Sequence, residues 1–231
     1  MDEALEKYQK AMSRRRKIRQ QALAILRRAT AAGIPEKYQR LKQDSLEPLL
    51  CEDYYGGKEG VKKVADRIFK DPMSLFDKPF FVIDGGDMYD RKTASYALLF
   101  RMISCDKVGL QESATTLSRS FQTFTTDGIG RNDYLISLLN PSVLLVQDFH
   151  AGLLKSENMN GGDFFDDLFE KRDNSGKTTI ITFQTPIPGE GIVGQNGLLA
   201  DMRYGQYLSM LSKADKNPKE QIFRIRLNIN E

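Results

Sequence analysis

Three short apolar runs constrain the fold of this chain more than any other feature of its sequence. They are Phe80-Phe81-Val82-Ile83, Ser142-Val143-Leu144-Leu145-Val146 and Thr178-Thr179-Ile180-Ile181-Thr182. Each is too short for a buried helix and lacks the polar alternation of a half-exposed strand, so each reads as a strand covered on both faces. Between them lie stretches of helical periodicity. One is predicted over 60–70, with Val61, Val64, Ile68 and Phe69 on one side, and others over 93–103 and 164–171. Strands of this kind alternating with helices predict an α/β fold, a central parallel sheet flanked by helices. The segment Ile222 to Ile229 alternates cleanly and is expected to be a final strand.

The 79 residues before the first run open with a helical pattern and continue into a stretch rich in breakers. Residues 2–32 carry apolar side chains at Leu5, Tyr8, Met12, Ile18, Leu23, Ile25, Leu26 and Ala29, an imperfect helical stripe interrupted by Arg14-Arg15-Arg16-Lys17. Gly33 is placed to cap this helix and Pro35 to stop it. A helix with so thin a stripe cannot build its own core and is expected to dock on a partner or on the main domain. The domain organisation read this way is a basic N-terminal helix over 1–32, a connector over 33–60 with Pro35, Pro48 and Gly56-Gly57 as breakers, and the main domain over 61–231.

Charge sharpens this division. The chain carries a formal net charge of +3, yet residues 1–42 hold twelve Lys/Arg against four Asp/Glu, leaving the remainder net acidic. A basic arm on an acidic body is expected to meet nucleic acid or an acidic protein face. Two distant cysteines, Cys51 and Cys105, and a single histidine, His150, exclude a Cys/His zinc site and give no disulfide framework. No apolar run is long enough to span a membrane. The charged stretch from Met1 to Ala11 does not read as a signal peptide, and a reducing cytoplasm is the expected setting.

The chemistry is expected at the carboxyl ends of the strands. Gly86-Asp87-Met88-Tyr89-Asp90-Arg91-Lys92-Thr93 follows the first strand and opens a helix, the context of a phosphate-binding loop. Lys92 would reach the β and γ phosphates of ATP or ADP, and the Thr93 hydroxyl would hold Mg2+. Arg91 stands where such loops carry glycine, and Asp84, Asp87 and Asp90 crowd a site meant for an anion. The second run ends on Gln147-Asp148. Gln147 is a poor magnesium ligand, whereas Asp148 could serve as base or metal ligand. The third run leads to Gln184, an amide able to position the attacking water. A chance strand-turn-helix with an incidental Lys-Thr has the same local look. The order phosphate loop, acid strand, amide strand is what favours a P-loop core.

These pieces together resemble the AAA+ helicase loaders of the DnaC and DnaI kind and their transposition relatives of the IstB kind, from about residue 30 to the C-terminus. Ala32-Gly33-Ile34-Pro35-Glu36-Lys37-Tyr38 is similar to the short element preceding the family's ATPase core. Ser142 to Phe149 stands for its acid strand, Phe164 to Phe169 for the helix that follows, and Lys177 to Gln184 for its Thr-Ile-Ile-Thr-Ser-Asn strand. The departures are Arg91 for glycine, Gln147 for aspartate and Gln184 for asparagine. Asp201 falls where the arginine inserted into a neighbour's site is expected, with Arg203 the nearest substitute.

The resemblance implies a DNA replication factor whose N-terminal helix, through Arg14, Arg15, Arg16 and Lys17, grips a hexameric replicative helicase. Its ATPase-fold domain would contact single-stranded DNA and assemble with copies of itself. The departures imply a degenerate ATP site with weak or absent hydrolysis, in a chain of phage or mobile-element type. Basic and aromatic residues interleave over Leu117 to Phe124, so Arg119 is a candidate DNA contact, while Leu117, Phe121 and Phe124 equally suit an inward-packed helix. Residues 126–132 are expected to form a flexible loop, and His150 to pack or lie on the surface. The alternatives are a transposition helper ATPase, which would depend on ATP switching, a non-hydrolysing AAA+ adaptor, and a small nucleotide kinase, against which the loss of glycine at 91 speaks.

Overall fold

The computed structural model describes residues 2–76, 78, 80–124, 129–149, 161–183 and 222–228 of the 231-residue chain. Five strands, β1 (Phe80–Asp84), β2 (Gly109–Ser113), β3 (Val143–Phe149), β4 (Thr178–Phe183) and β5 (Ile222–Arg226), form one sheet in the order β2-β3-β4-β1-β5. Every pairing is parallel. All five residues of β1 and all six of β4 are buried, as covering on both faces requires.

The period of two along each strand divides the core. Phe81 and Ile83 of β1 join Val143 and Leu145 of β3 in one apolar cluster, and Phe80 and Val82 join Leu144 and Val146 in the other. Helices α4 (Lys58–Lys70) and α5 (Met88–Ser104) close the first face, with Val61, Ile68, Leu98, Leu99 and Met102 fully or nearly buried. The opposite face is closed by α6 (Ala114–Phe124), α7 (Ile129–Leu139) and α8 (Gly161–Asn174), through Leu117, Leu138, Phe165 and Phe169. Burying each such side chain contributes about 1.5–3 kcal/mol.

α1 (Asp2–Ala31) ends where Gly33 stands. Gly33 has φ 85°, its N–H donates to Thr30 O at 3.0 Å, and that of Ile34 donates to Ala29 O at 3.0 Å. This is the double hydrogen bond of a Schellman cap. Among the described residues the helix docks at its foot: Ala29 and Ala32 are buried, Arg28 pairs with Asp106 at 2.8 Å, and Ala32 O accepts from Gln111 N on the β2 edge at 3.0 Å. From Glu6 to Arg27 the helix is mostly exposed, and Tyr8 and Ile18 are 63% and 56% accessible.

The stretch read as a connector is built into the body. Ile34, Tyr38, Leu46 and Leu50 are buried in the same cluster as β1 and α5. Short helices α2 (Gln43–Leu46) and α3 (Glu52–Tyr55) lie within it, and Leu50 forms an antiparallel bridge to Leu227 just after β5. Breakers made it look like a linker, but its apolar residues had a core to join.

Other elements depart from expectation. β2 lacks the apolar run of its neighbours, because as an edge strand its residues are all only half-buried. Residues 129–132 of the loop expected over 126–132 are helical, since α7 begins at Ile129, and 126–128 lie outside the described residues. β5 stops at Arg226 rather than continuing to Ile229. No helix among the described residues is long and apolar enough to cross a membrane.

Candidate functional site

At the carboxyl rim, β1 hands over to α5 through Gly85, Gly86 and Asp87. Gly85 and Gly86 have φ of 82° and 59°, which L side chains adopt only at a cost. The exit of β5 presses on this turn. Leu227 N donates to Asp84 O and Gly86 N to Asn228 O, each at 2.8 Å. A Cβ on Gly85 would come within 2.4 Å of Leu227 O. Below the turn Asp84 is fully buried and paired with Arg224 Nη2 at 2.8 Å and with Arg226. Tyr55 closes the group, its hydroxyl accepting from Arg226 N at 2.8 Å. Burial drives the Tyr55 phenol far above its ordinary range.

α5 begins five residues before the position expected. Asp87 is its N-cap: the carboxylate accepts from Asp90 N at 2.8 Å, and Asp90 accepts in return from Asp87 N at 3.3 Å. This capping box satisfies two helix-start donors and begins the helix at Met88. The segment Gly86 to Thr93 is therefore a short turn followed by helix. Arg91 is buried and donates through Nη1 to Gly86 O at 2.7 Å and Gly85 O at 3.4 Å, pinning the turn from inside. Lys92 is half-buried in the second helical turn, and Thr93 is buried. The Thr93 hydroxyl and Arg91 Nε are enclosed and lack a hydrogen-bond partner.

Gln147, at the end of β3, is buried and meets the same helix. It accepts from the Tyr96 hydroxyl and donates to Ser95 Oγ, both at 3.4 Å. Lys92 lies one turn above Tyr96, so helical spacing puts it on the side of α5 that faces β3, nearer the rim. Asp148 occupies a shift in the β3–β4 register and has φ 56°, a conformation aspartate tolerates better than most residues. Its N–H donates to Thr182 Oγ1 of β4 at 2.8 Å. A bulge of this kind re-aims the side chain at a strand end. Helix α5 and strands β3 and β4 thus bring Lys92, Gln147 and Asp148 to one rim. Gln184, Arg203 and His150 lie outside the described residues.

Sequence reasoning passed over an aromatic group beside this rim. Tyr38 stacks on Tyr96 with centroids 4.7 Å apart and approaches Tyr89 at 6.3 Å, while Lys37 Nζ lies 4.7 Å from the Tyr38 centroid and 5.4 Å from that of Tyr89. Burial raises the Tyr96 phenol above its ordinary value, against a lowering by its bond to Gln147. Tyr89 and Tyr96 share α5, but Tyr38 comes from a separate segment, so no sequence spacing links it to them. Away from the rim, Arg14, Arg15, Arg16 and Lys17 are exposed on α1, and Arg119 is exposed on α6.

As folded, this rim does not fit a magnesium triphosphate. The Arg91 side chain fills the turn, and two carboxylates lie across the helix start where an anion would approach. Gln147, the residue at the usual metal-holding position, is a neutral amide already engaged. Among the described residues no group of three His, Cys, Asp or Glu could hold a metal ion.

No family model matches the sequence, and no curated protein matches it. Solved structures do. The crystal structure of the DnaC helicase loader aligns with a TM-score of 0.52 and 15% identity, covering 84% of this chain and 99% of that one. The structure of DnaI aligns with a TM-score of 0.50 and 11% identity, covering 84% and 90%. DnaA from Aquifex aeolicus, bound to AMPPCP, is more distant, at a TM-score of 0.45 and 13% identity. The chain spans about half of that protein's length. The fold is the AAA+ fold of the helicase loaders, in a divergent sequence.

Proposed function

We propose that this chain is a DNA replication factor that binds a hexameric replicative helicase through α1 and helps place it on single-stranded DNA. The observation that carries the reading is the arm itself: a helix standing off a loader-type AAA+ body, its foot fixed and its basic and apolar side chains exposed. Tyr8, Ile18 and Leu23 are 63%, 56% and 47% accessible. Arg14, Arg15, Arg16 and Lys17 are exposed beside them. An arm of this kind suits an acidic partner surface with an apolar centre, where charge steers encounter and apolar burial holds it.

The body serves as a scaffold more than a motor. Arg119 on α6 is the candidate contact to the DNA backbone. No hydrolytic step is assigned to Asp148 or Gln184, and none to magnesium held by Thr93. The transposition-helper reading relies on ATP switching and has no feature of the rim in its favour.

Capture of the host's hexameric helicase by the full chain tests the proposal. The expected result is retention by the native chain and loss when Arg14, Arg15, Arg16 and Lys17 are all replaced by glutamate. Equal capture by the native and reversed chains would sink the assignment of the arm.

A further inference from the structure

We infer that the start of α5 is a closed joint that takes no triphosphate, so that whatever this chain binds, it binds without a nucleotide switch. A phosphate cradle needs several free backbone N–H groups converging from a loop and the first turn of the following helix. Here three residues, Gly85 to Asp87, connect β1 to α5, and the donors of Gly86 and Asp87, with that of Asp90 in the first helical turn, are committed. Gly86 N–H is spent on Asn228 O, Asp87 N–H on the Asp90 carboxylate, and Asp90 N–H on the Asp87 carboxylate. The helix start already holds its anions, and they are covalently part of the protein. A triphosphate would meet their negative charge before it met the helix dipole.

Arg91 closes the joint from the other side. Its guanidinium reaches the carbonyls of Gly85 and Gly86 and holds the turn on top of β1. The β5 exit locks the same turn through Leu227 and Asn228. Opening a cradle requires undoing the capping box, the Arg91 bonds and the β5 tie together. Two groups speak for a ligand, because Arg91 Nε and the Thr93 hydroxyl lack partners. They lie two residues apart on a helix, roughly 200° around its axis. One bound ligand cannot satisfy both while α5 remains helical from Met88. These two unpaired atoms are a standing cost of the closed joint, and the bonds around the turn offset it.

The inference stands apart from the helicase reading, and its test needs no helicase. Fluorescent ATP and ADP analogues with magnesium are titrated against the full chain, in parallel with melting curves in unlabelled Mg-ATP. No saturable binding is expected up to about 1 mM, the upper end of ordinary nucleotide working concentrations, and no rise in melting temperature. Arg91→Gly, which restores the expected glycine, is expected to melt lower and still not bind, because the connection remains three residues long. Saturable binding that Lys92→Ala or Thr93→Ala weakens about tenfold or more would overturn the inference. So would tight binding gained by Arg91→Gly alone. Binding unaffected by either alanine variant would place a nucleotide elsewhere on the chain and overturn the claim that it works without a nucleotide switch.

Discussion

Arg172 is fully buried, yet it donates to the carbonyls of Leu138, Pro141 and Thr178 and to Thr179 Oγ1, at 2.6–3.1 Å. It ties the end of α7 to α8 and to the start of β4, at the amino ends of the strands, opposite the rim. Arg172→Met keeps much of the volume and leaves three carbonyls without this donor, so urea unfolding is expected to show a loss of about 2–5 kcal/mol. At the rim, Asp87→Ala removes the N-cap of α5, and the same measurement is expected to show a loss of about 1 kcal/mol. Tyr55 gives a pH signature. Its folded pKa lies above the unfolded value, so the folded state holds the phenolic proton more tightly and the contribution is complete below the unfolded pKa. It is lost as pH climbs beyond about 10, where the unfolded chain begins to ionise. Tyr55→Phe is expected to be less stable at neutral pH, because Arg226 N loses its acceptor. Its melting temperature should fall less steeply than that of the native chain above that pH.

At the scale of elements, helix ends decided more than helix interiors. The α1 stop was legible, since Gly33 and Pro35 are strong local signals and the glycine has φ 85°. Gly33→Ala forces an L side chain into that conformation with Gln111 Oε1 3.1 Å from its Cβ. It is expected to cost about 1–2 kcal/mol, visible as faster hydrogen exchange at Ile34 and Gln111, whose amides bond to this corner. The α5 start was misjudged because a glycine pair and a Lys-Thr at loop spacing outweighed Asp87 and Asp90, whose three-residue separation suits an acidic capping box. Both signals occupy the same eight residues, and the reciprocal hydrogen bonds decided for the helix. β2 escaped notice for a different reason. An edge strand needs only one apolar face, and Gly109 to Ser113 is predominantly polar.

The whole molecule is a two-faced parallel sheet from which one basic helix projects. Most of α1 from Glu6 to Arg27 is exposed, so deleting residues 1–24 is expected to leave the melting temperature of the remainder within a few degrees of the native chain. On the proposed reading, helicase capture by the full chain should weaken as salt is raised from about 0.05 to 0.5 M, because the arm's exposed charges are screened beyond a Debye length. Capture indifferent to salt would move the interface to the apolar stripe or to the body.

The three apolar runs by themselves determined a parallel α/β sheet, because strands hydrophobic on both faces have few other ways to be covered. The charge count marked the first helix as an arm, and the order of the runs put the end of the acid-bearing strand beside the strand that follows it. What occupies the rim was decided only by the tertiary structure. Whether Gly86 to Thr93 wraps a ligand or winds into a helix depends on Asn228 and Leu227 arriving from the far end of the chain, and on Arg91 finding the carbonyls of the turn beside it. The contacts to Leu227 and Asn228 join residues more than 130 positions apart, and hydrogen bonds of that kind leave no periodic trace along a sequence.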